Sequence, residues 1–247
     1  MRLHLTGASG FLGRELAVLS PGATTERVEV RDREAVAALF ARLRPDAVIH
    51  TAYRQDGEGA YDVTATGAGN VAAACAALGA RLVHLSTDVV FDGRLGRPYV
   101  EEDEPCPCTA YGEAKAHAER FVVEACPGAV LVRTSLIVGG PGHAPSKHEL
   151  VARDPAMAFF SDELRCPIQV TDLARALLEL VALDVGGPLH VVGPDAVSRA
   201  ELAALVVGHT VTGRPAPAGR PLDCRLDARR ARALLRTRVR GVREVFG

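Results

Sequence analysis

Tyr111 and Lys115, four residues apart in "AYGEAK", form the pair in this sequence best suited to moving a proton. On a helix that spacing puts both side chains on one face. A phenol titrating at about 10 is a poor acid at neutral pH, but a neighbouring ammonium favours the phenolate and eases proton transfer. In isolation such a pair reads as surface decoration, so its context decides. "STDVVFDG", Ser86 to Gly93, follows the apolar run "ARLVHL" and sets two hydroxyls and an acid where a buried strand runs out. "TGASGFLG" sets Gly7, Gly10 and Gly13 where a first strand meets a first helix. Glycines there permit a tight turn and let the backbone approach a pyrophosphate, which free N–H groups and the positive helix end can hold. The spacing differs from the common G-x-G-x-x-G by one residue between the first two glycines. Taken together, the three stretches point to a dinucleotide site next to a proton-transferring pair.

The elements that must position these residues alternate between apolar strands and Ala-rich helices, the pattern of a parallel sheet with crossover helices. "RLHLTGA" reads as strand and "GFLGRELAVL" as helix, with Phe11, Leu12, Leu16 and Leu19 on one face. "RVEV" is expected as a strand, followed by the helix "DREAVAALFARL" with Asp32 as its N-cap. "DAVIHTA" and "ARLVHLS" are expected as buried strands flanking a helix, "TGAGNVAAACAALG", that ends at Gly79. "AYGEAKAHAERFVVEAC" is expected as helix and "AVLVRTSLIV" as one strand. The alternation lapses over Gly139 to Pro167 and resumes with a helix, "VTDLARALLELVAL", and a strand, "PLHVVG". A further helix starts at "SRAELAALVVGH", and the Arg-rich end, "LDARRARALLRTRVRGVREV", reads as a solvated helix face.

With 247 residues, 48% of them hydrophobic, the chain can bury the core of one domain with a small lobe. Its net charge of −1, spread along the chain, leaves no footprint for a nucleic acid or an anionic membrane, so the expected partner is a small molecule. No apolar run approaches the roughly 18 to 20 residues that span a bilayer, and no secretory leader is recognisable, so a cytoplasmic location is expected. The six cysteines are dispersed and the "CPC" pair lacks a second pair at zinc-site spacing, so reduced thiols and no metal site are expected. With aromatics at 4% and no Trp, the core must be Ala, Val and Leu.

"TGASGFLG", "LVHLSTDVVFDG", "PYVEEDEPCPCTAYGEAK", "VRTSLIVGG", "DELRCPIQVTDLARAL" and "RPLDCRLD" occur in the order of the extended short-chain dehydrogenase/reductases, and the chain most resembles their dTDP-4-dehydrorhamnose reductase family. The resemblance implies an α/β fold: an NAD(P)-binding Rossmann fold, doubly wound around a parallel sheet, with a small C-terminal substrate lobe. The Rossmann core is expected over 1–138 and 168–192, and the lobe over 139–167 and 193–247. The resemblance implies catalytic roles for Thr87, Tyr111 and Lys115: Tyr111 protonates a carbonyl oxygen, Lys115 holds the nicotinamide ribose, and Thr87 hydrogen-bonds the reacting oxygen. It also implies that Gly7, Ser9, Gly10, Phe11 and Leu12 cradle the pyrophosphate, with Gly13 beside them, and that Glu29 and Val30 flank the adenine next to Arg31. Thr51, Ala52 and Tyr53 would line the far side, and Arg133 and Ser135 the strand passing the nicotinamide. On the substrate side stand Asp88, Val89, Asp162, Arg165, Pro167 and Arg220. Ser86 is expected to serve the strand end.

The chain departs from the family pattern in three places. Only "SPGATTER" separates the first helix from "RVEV", so the strand that usually carries the ribose-reading residue is truncated; Arg27, Arg31 and Arg33 tilt the expectation toward NADP(H), with NAD(H) as the alternative. Thr64 stands where the family has an Asn supporting a relay water, and "HTAY", with His50 and Tyr53, replaces "NAAA". The chain is also shorter than the family norm. The expected activity is reduction of a keto group on a nucleotide-activated deoxysugar by a chain that can pair as a homodimer. The alternatives are a cofactor-binding regulatory subunit without turnover, like that of methionine adenosyltransferase, and a nucleotide-sugar epimerase or dehydratase.

Overall fold

The computed structural model describes residues 1–247. Its centre is a sheet of five parallel strands in the order β1 (Leu3–Thr6), β2 (Ala47–His50), β3 (Arg81–Thr87), β4 (Val130–Thr134) and β9 (Gly187–His190). Because every strand is buried on both faces, alternate residues supply two cores. Leu3, Leu5, Ile49, Val83 and Val132 face α1 (Phe11–Leu19) and α6 (Val170–Val181). Val48, Leu82 and Leu131 face α2 (Arg33–Leu43), α3 (Gly67–Leu78) and α4 (Ala110–Ala125). The consecutive helices α1 and α2 thus lie on opposite faces, and the chain changes face around the edge of β1. Ligands of doubly wound sheets bind where the winding reverses, beyond the carboxyl ends of the strands.

The helix boundaries follow local chemistry. The Asp32 carboxylate caps α2 by accepting from the Ala35 amide at 3.0 Å, and Gly79 ends α3 in the left-handed region. Two expectations are corrected. "RVEV" forms no strand: only Thr24 bridges to His4, while Val28 and Val30 pack into the helix-side core. Valines two apart read as strand whether they pair or merely pack, and here the charged neighbours Arg27 and Glu29 stay exposed. "AVLVRTSLIV" is also two strands, because after Thr134 the chain leaves the main sheet, and β5 (Ile137–Val138) pairs with β8 (Ile168–Gln169).

The segment between β5 and β8 holds α5 (Lys147–Ala152), β6 (Phe159–Phe160) and β7 (Leu164–Arg165). β7 pairs with β10 (Val197–Ser198), which leads into α7 (Arg199–Val207), and β6 pairs with β11 (Gly213–Arg214). The C-terminal segment is not wholly in this lobe, contrary to expectation. Ala231 in α8 (Arg229–Leu234), with Leu235 and Val239, packs into the main core beside α6. Nor is the Arg-rich end one solvated helix face. It breaks into α8 and α9 (Val242–Phe246), and Arg240 pairs with the buried Asp172 at 2.9 Å. All six cysteines are unpaired, and no helix is long and apolar enough to cross a membrane.

Four strands each bury one imidazole: His4, His50, His84 and His190. Burial holds all four below the ordinary histidine range, His50 at about 3 and His190 at about 4, and neither nitrogen of His84 has a partner. The folded protein therefore keeps these rings neutral, while the unfolded chain takes up protons below about 6.5. Stability is complete above that pH and is lost as the pH falls. Thermal unfolding should show the midpoint dropping between pH 7.5 and 5.5, with a slope shallower by roughly one proton in His84→Leu. A midpoint constant over that range would contradict this.

Candidate active site

At the carboxyl end of β1 the chain turns through Gly7, whose φ of 76° is in the left-handed region. A Cβ on Gly7 would lie 2.7 Å from the Ala52 amide, and one on Gly13 would lie 2.1 Å from the Gly7 carbonyl. Both glycines are therefore required for the turn to sit between β2 and the first turn of α1. Gly10 caps α1 without a side chain, and the first turn carries no acid, so its amides point outward with no carboxylate to neutralise them. That is an anion cradle. It forms one end of a cavity of about 590 Å³ running along the ends of β2, β3 and β4 to the small lobe.

The middle of the cavity is formed by the start of α4 and the end of β3. Thr109 caps α4 by accepting from the Gly112 amide at 3.1 Å. Gly112 then lets the helix come against the turn that follows β3, since a Cβ there would lie 2.2 Å from the Val89 carbonyl. This close approach brings Tyr111 to Thr87 and Asp88, all lining the cavity. One turn on, the Lys115 ammonium is 3% exposed and donates to the Leu85 carbonyl at 2.6 Å. Burial lowers it to about 8, against the opposing pull of Glu119.

Burial also raises the Tyr111 phenol well above its usual range, with Tyr53 and Asp88 adding to the effect and the Thr87 hydroxyl opposing it. The expectation that Lys115 would favour the phenolate is thus corrected: loss of hydration sets the direction, and the ammonium is turned to the Leu85 carbonyl. Tyr111 stands as a protonated acid.

Ser86 points to the other side of the strand and donates to Glu119 at 2.5 Å, and Glu119 pairs with Arg133 at 2.8 Å. Arg133 also lies over the Phe91 ring, so it braces the sheet and does not line the cavity. Asp88 is 2% exposed, accepts from Ser135 Oγ at 2.5 Å and faces Arg165 Nε at 3.6 Å. Burial raises its carboxyl, against Arg165 and Ser135. Arg165 in turn donates to the carbonyls of Leu222 and Pro221, tying β7 and the 220–222 loop to Asp88.

Arg220 pairs with Glu163 and lies 4.9 Å from the Phe160 ring centroid. Arg199 joins them with its Nη1 buried and unpartnered. Arg199 and Arg220 also border a second cavity of about 360 Å³ lined by Met157, Phe159, Phe160 and Arg214.

The family model described as "RmlD substrate binding domain" matches residues 1–246. The chain belongs to this family. Among its relatives, the dTDP-4-dehydrorhamnose reductase of Mycobacterium tuberculosis (strain ATCC 25618 / H37Rv) is 36% identical over 220 residues, covering 80% of this chain and 72% of that protein. The dTDP-4-keto-6-deoxy-D-glucose reductase of Streptomyces niveus is 33% identical over 206 residues, covering 76% and 72%. The crystal structure of Bacillus anthracis dTDP-4-dehydrorhamnose reductase in complex with NADP superposes with a TM-score of 0.87 at 26% identity, covering 99% of this chain and 96% of that one. The fold is accordingly the NAD(P)-binding Rossmann fold.

In this RmlD-family chain one cavity gathers Gly7, Gly10, Phe11, Leu12 and Gly13 from the turn, then Thr51 and Tyr53. Thr87, Asp88, Val89, Tyr111 and Lys115 follow, with Ser135, Arg165 and Arg220 at the lobe end. Besides Arg133, seven expected residues do not line it. Ser9 is exposed on the outside of the turn, and the Ala52 amide supports Gly7 from behind. Glu29 and Arg31 pair with each other at 2.8 Å, and Val30 is buried against Gly67. Asp162 accepts from the Ala216 amide at 2.8 Å and fastens a lobe loop.

Pro167 is likewise buried away from the cavity. Thr64 sits in a π-turn (Asp62–Thr66) before α3 and bonds both backbone groups of Arg54, so it anchors the loop after β2.

Sequence reasoning missed Lys147, His148 and Arg199, which also line the cavity. For Lys147 a signal existed: Ser146 and Glu149 form a capping box that marks the start of α5. Nothing local distinguishes Arg199 from the other arginines.

The Glu119–Arg133 pair yields a stability prediction. Glu119→Ala leaves the Arg133 guanidinium buried and uncompensated and should cost about 3–5 kcal/mol in urea unfolding. A loss near that of an exposed ion pair, below about 1 kcal/mol, would contradict it.

Proposed function

We propose that this chain is an NADPH-dependent reductase that converts the 4-keto group of a nucleotide-activated 6-deoxysugar to an alcohol. The observation that carries the reading is the placement of the Tyr111 phenol beside Thr87 and Lys115 in a cavity that starts at the glycine turn. The turn fits a dinucleotide: outward amides at the start of α1 and two glycines that no side chain could replace. When bound, the reduced nicotinamide supplies the hydride. Tyr111 Oη gives its proton to the carbonyl oxygen, and Thr87 Oγ1 donates a hydrogen bond to the same oxygen. Lys115, protonated below about 8, holds the ribose hydroxyls and restores charge balance near the phenol.

The lobe end supports a nucleotide-sugar substrate. Lys147, Arg165, Arg199 and Arg220 face only two carboxylates, Asp88 and Glu163, so the wall carries an excess of positive charge suited to a diphosphate ester. Phe160, flanked by Arg214 and Arg220, offers an aromatic surface in the adjoining cavity. The names of the relatives agree with such a substrate. Asp88 is held by Ser135 and Arg165, which favours a bracing role over the mobile acid that a dehydratase would need.

NADP(H) is the preferred cofactor in this reading. Arg27 and Arg33 are exposed cations without a carboxylate partner near the start of α2, whereas Arg31 is engaged by Glu29.

The test is absorbance at the nicotinamide band with NADPH and a 4-keto-6-deoxysugar nucleotide. The parent should consume cofactor, Tyr111→Phe should lower kcat by about 10²–10⁴-fold with NADPH still bound, and NADH should be used less efficiently. No turnover by the parent, or undiminished turnover by Tyr111→Phe, would overturn the reading.

A further inference from the structure

We propose that Tyr53 is a positioning residue, its ring clasped from the small lobe so that it holds the Tyr111 phenol in place and keeps water from Lys115. Tyr53 stands on the loop after β2. Its ring centroid lies 5.7 Å from that of Tyr111 at an interplanar angle of 47°, and 5.6 Å from the Lys115 nitrogen. From the opposite lobe Lys147 Nζ lies 5.9 Å from the same ring, donates to Tyr53 Oη at 3.5 Å and also bonds the Gln55 side chain. Thr64 anchors the loop from below through both backbone groups of Arg54. One ring therefore stands beside the proton donor, the buried ammonium and the lobe across the cavity.

Tyr53 is itself 41% exposed, so it stands between solvent and the pair. Without it, water reaches Tyr111 and Lys115 along the open side of the cavity. The remaining groups near Lys115 are Tyr111 and Glu119 on α4, His50 on β2 and His84 on β3, with Asp88 near the phenol. His50 and His84 are held neutral by burial throughout the working range. Hydration is thus the quantity that Tyr53 controls. Hydrating a buried ammonium raises its pKa toward the ordinary lysine value of about 10.4.

The inference rests on the proposed reduction, and its test separates the two. The pH dependence of kcat/KM for NADPH reports groups of the free enzyme. The parent should lose activity above about 8, where Lys115 gives up its proton. In Tyr53→Ala that limb should move upward by one unit or more, and kcat at neutral pH should fall by roughly 10- to 100-fold as the phenol loses its support. Tyr53→Phe keeps the ring and should retain the parent's limb. The pH dependence of NADPH affinity, read by nicotinamide fluorescence, provides the same comparison without turnover.

An unmoved limb in Tyr53→Ala, or a limb moved as far in Tyr53→Phe as in Tyr53→Ala, would overturn the proposal while leaving the proposed reduction intact. A parent that neither binds nor consumes NADPH would count against the reduction itself.

Discussion

The ammonium of Lys115, buried and donating to the Leu85 carbonyl, fixes the site. A charge taken out of water must be met by well-placed acceptors, or the helix carrying it would roll or shift to let it out. The bond to β3 therefore sets the rotation of α4 about its axis. Because Tyr111 is one turn earlier, the same bond aims the phenol at the end of β3. Gly112 permits the approach and Thr109 starts the helix at the right residue. The glycine turn, the end of β3 and the lobe then need only surround a pair whose position is already determined.

Around that pair the polar residues divide by the face of the strand they occupy. Successive residues of a strand point to opposite faces, so the Ser86 hydroxyl goes to the buried Glu119–Arg133 pair while the Thr87 hydroxyl goes to Tyr111. Asp88, at the turn, reaches Ser135 and Arg165 and joins the sheet to the lobe. Two adjacent hydroxyls and an acid thus serve three ends: a brace beneath the sheet, a donor in the cavity and a strut between lobes. The cost is a burial of charge that hydrophobic residues of equal size would avoid, and its return is a cleft with one defined shape.

Much of this was legible in the sequence where a local rule and a steric demand coincide. The glycines of "TGASGFLG" and the i,i+4 pair of "YGEAK" are of that kind, as are the Asp32 and Gly79 caps, because each follows from backbone geometry within a few residues. What was not legible depends on partners far along the chain. "RVEV" has the alternation of a strand, but no neighbour lies beyond Thr24 to pair with it. Glu29 and Arg31 could have read a ribose, yet their nearest opposite charges are each other. The lobe's strands are two residues long, too short for any period, and the convergence of Arg165, Arg199 and Arg220 arises only when segments separated by tens of residues close over Phe160. The resemblance to a family supplied Arg165 and Arg220, whereas Arg199 emerged from the fold alone.

The central claim is that Tyr111, set by Lys115, delivers a proton to a ketone that receives a hydride from bound cofactor. It is tested most directly by single-turnover reaction with NADPH deuterated on the transferring face and a 4-keto-6-deoxysugar nucleotide. The account predicts one deuterium at C4 of the sugar, an alcohol at that carbon and one NADP⁺ formed per sugar reduced. Product that carries no deuterium, or cofactor recovered in its reduced form while the sugar has changed, would contradict it.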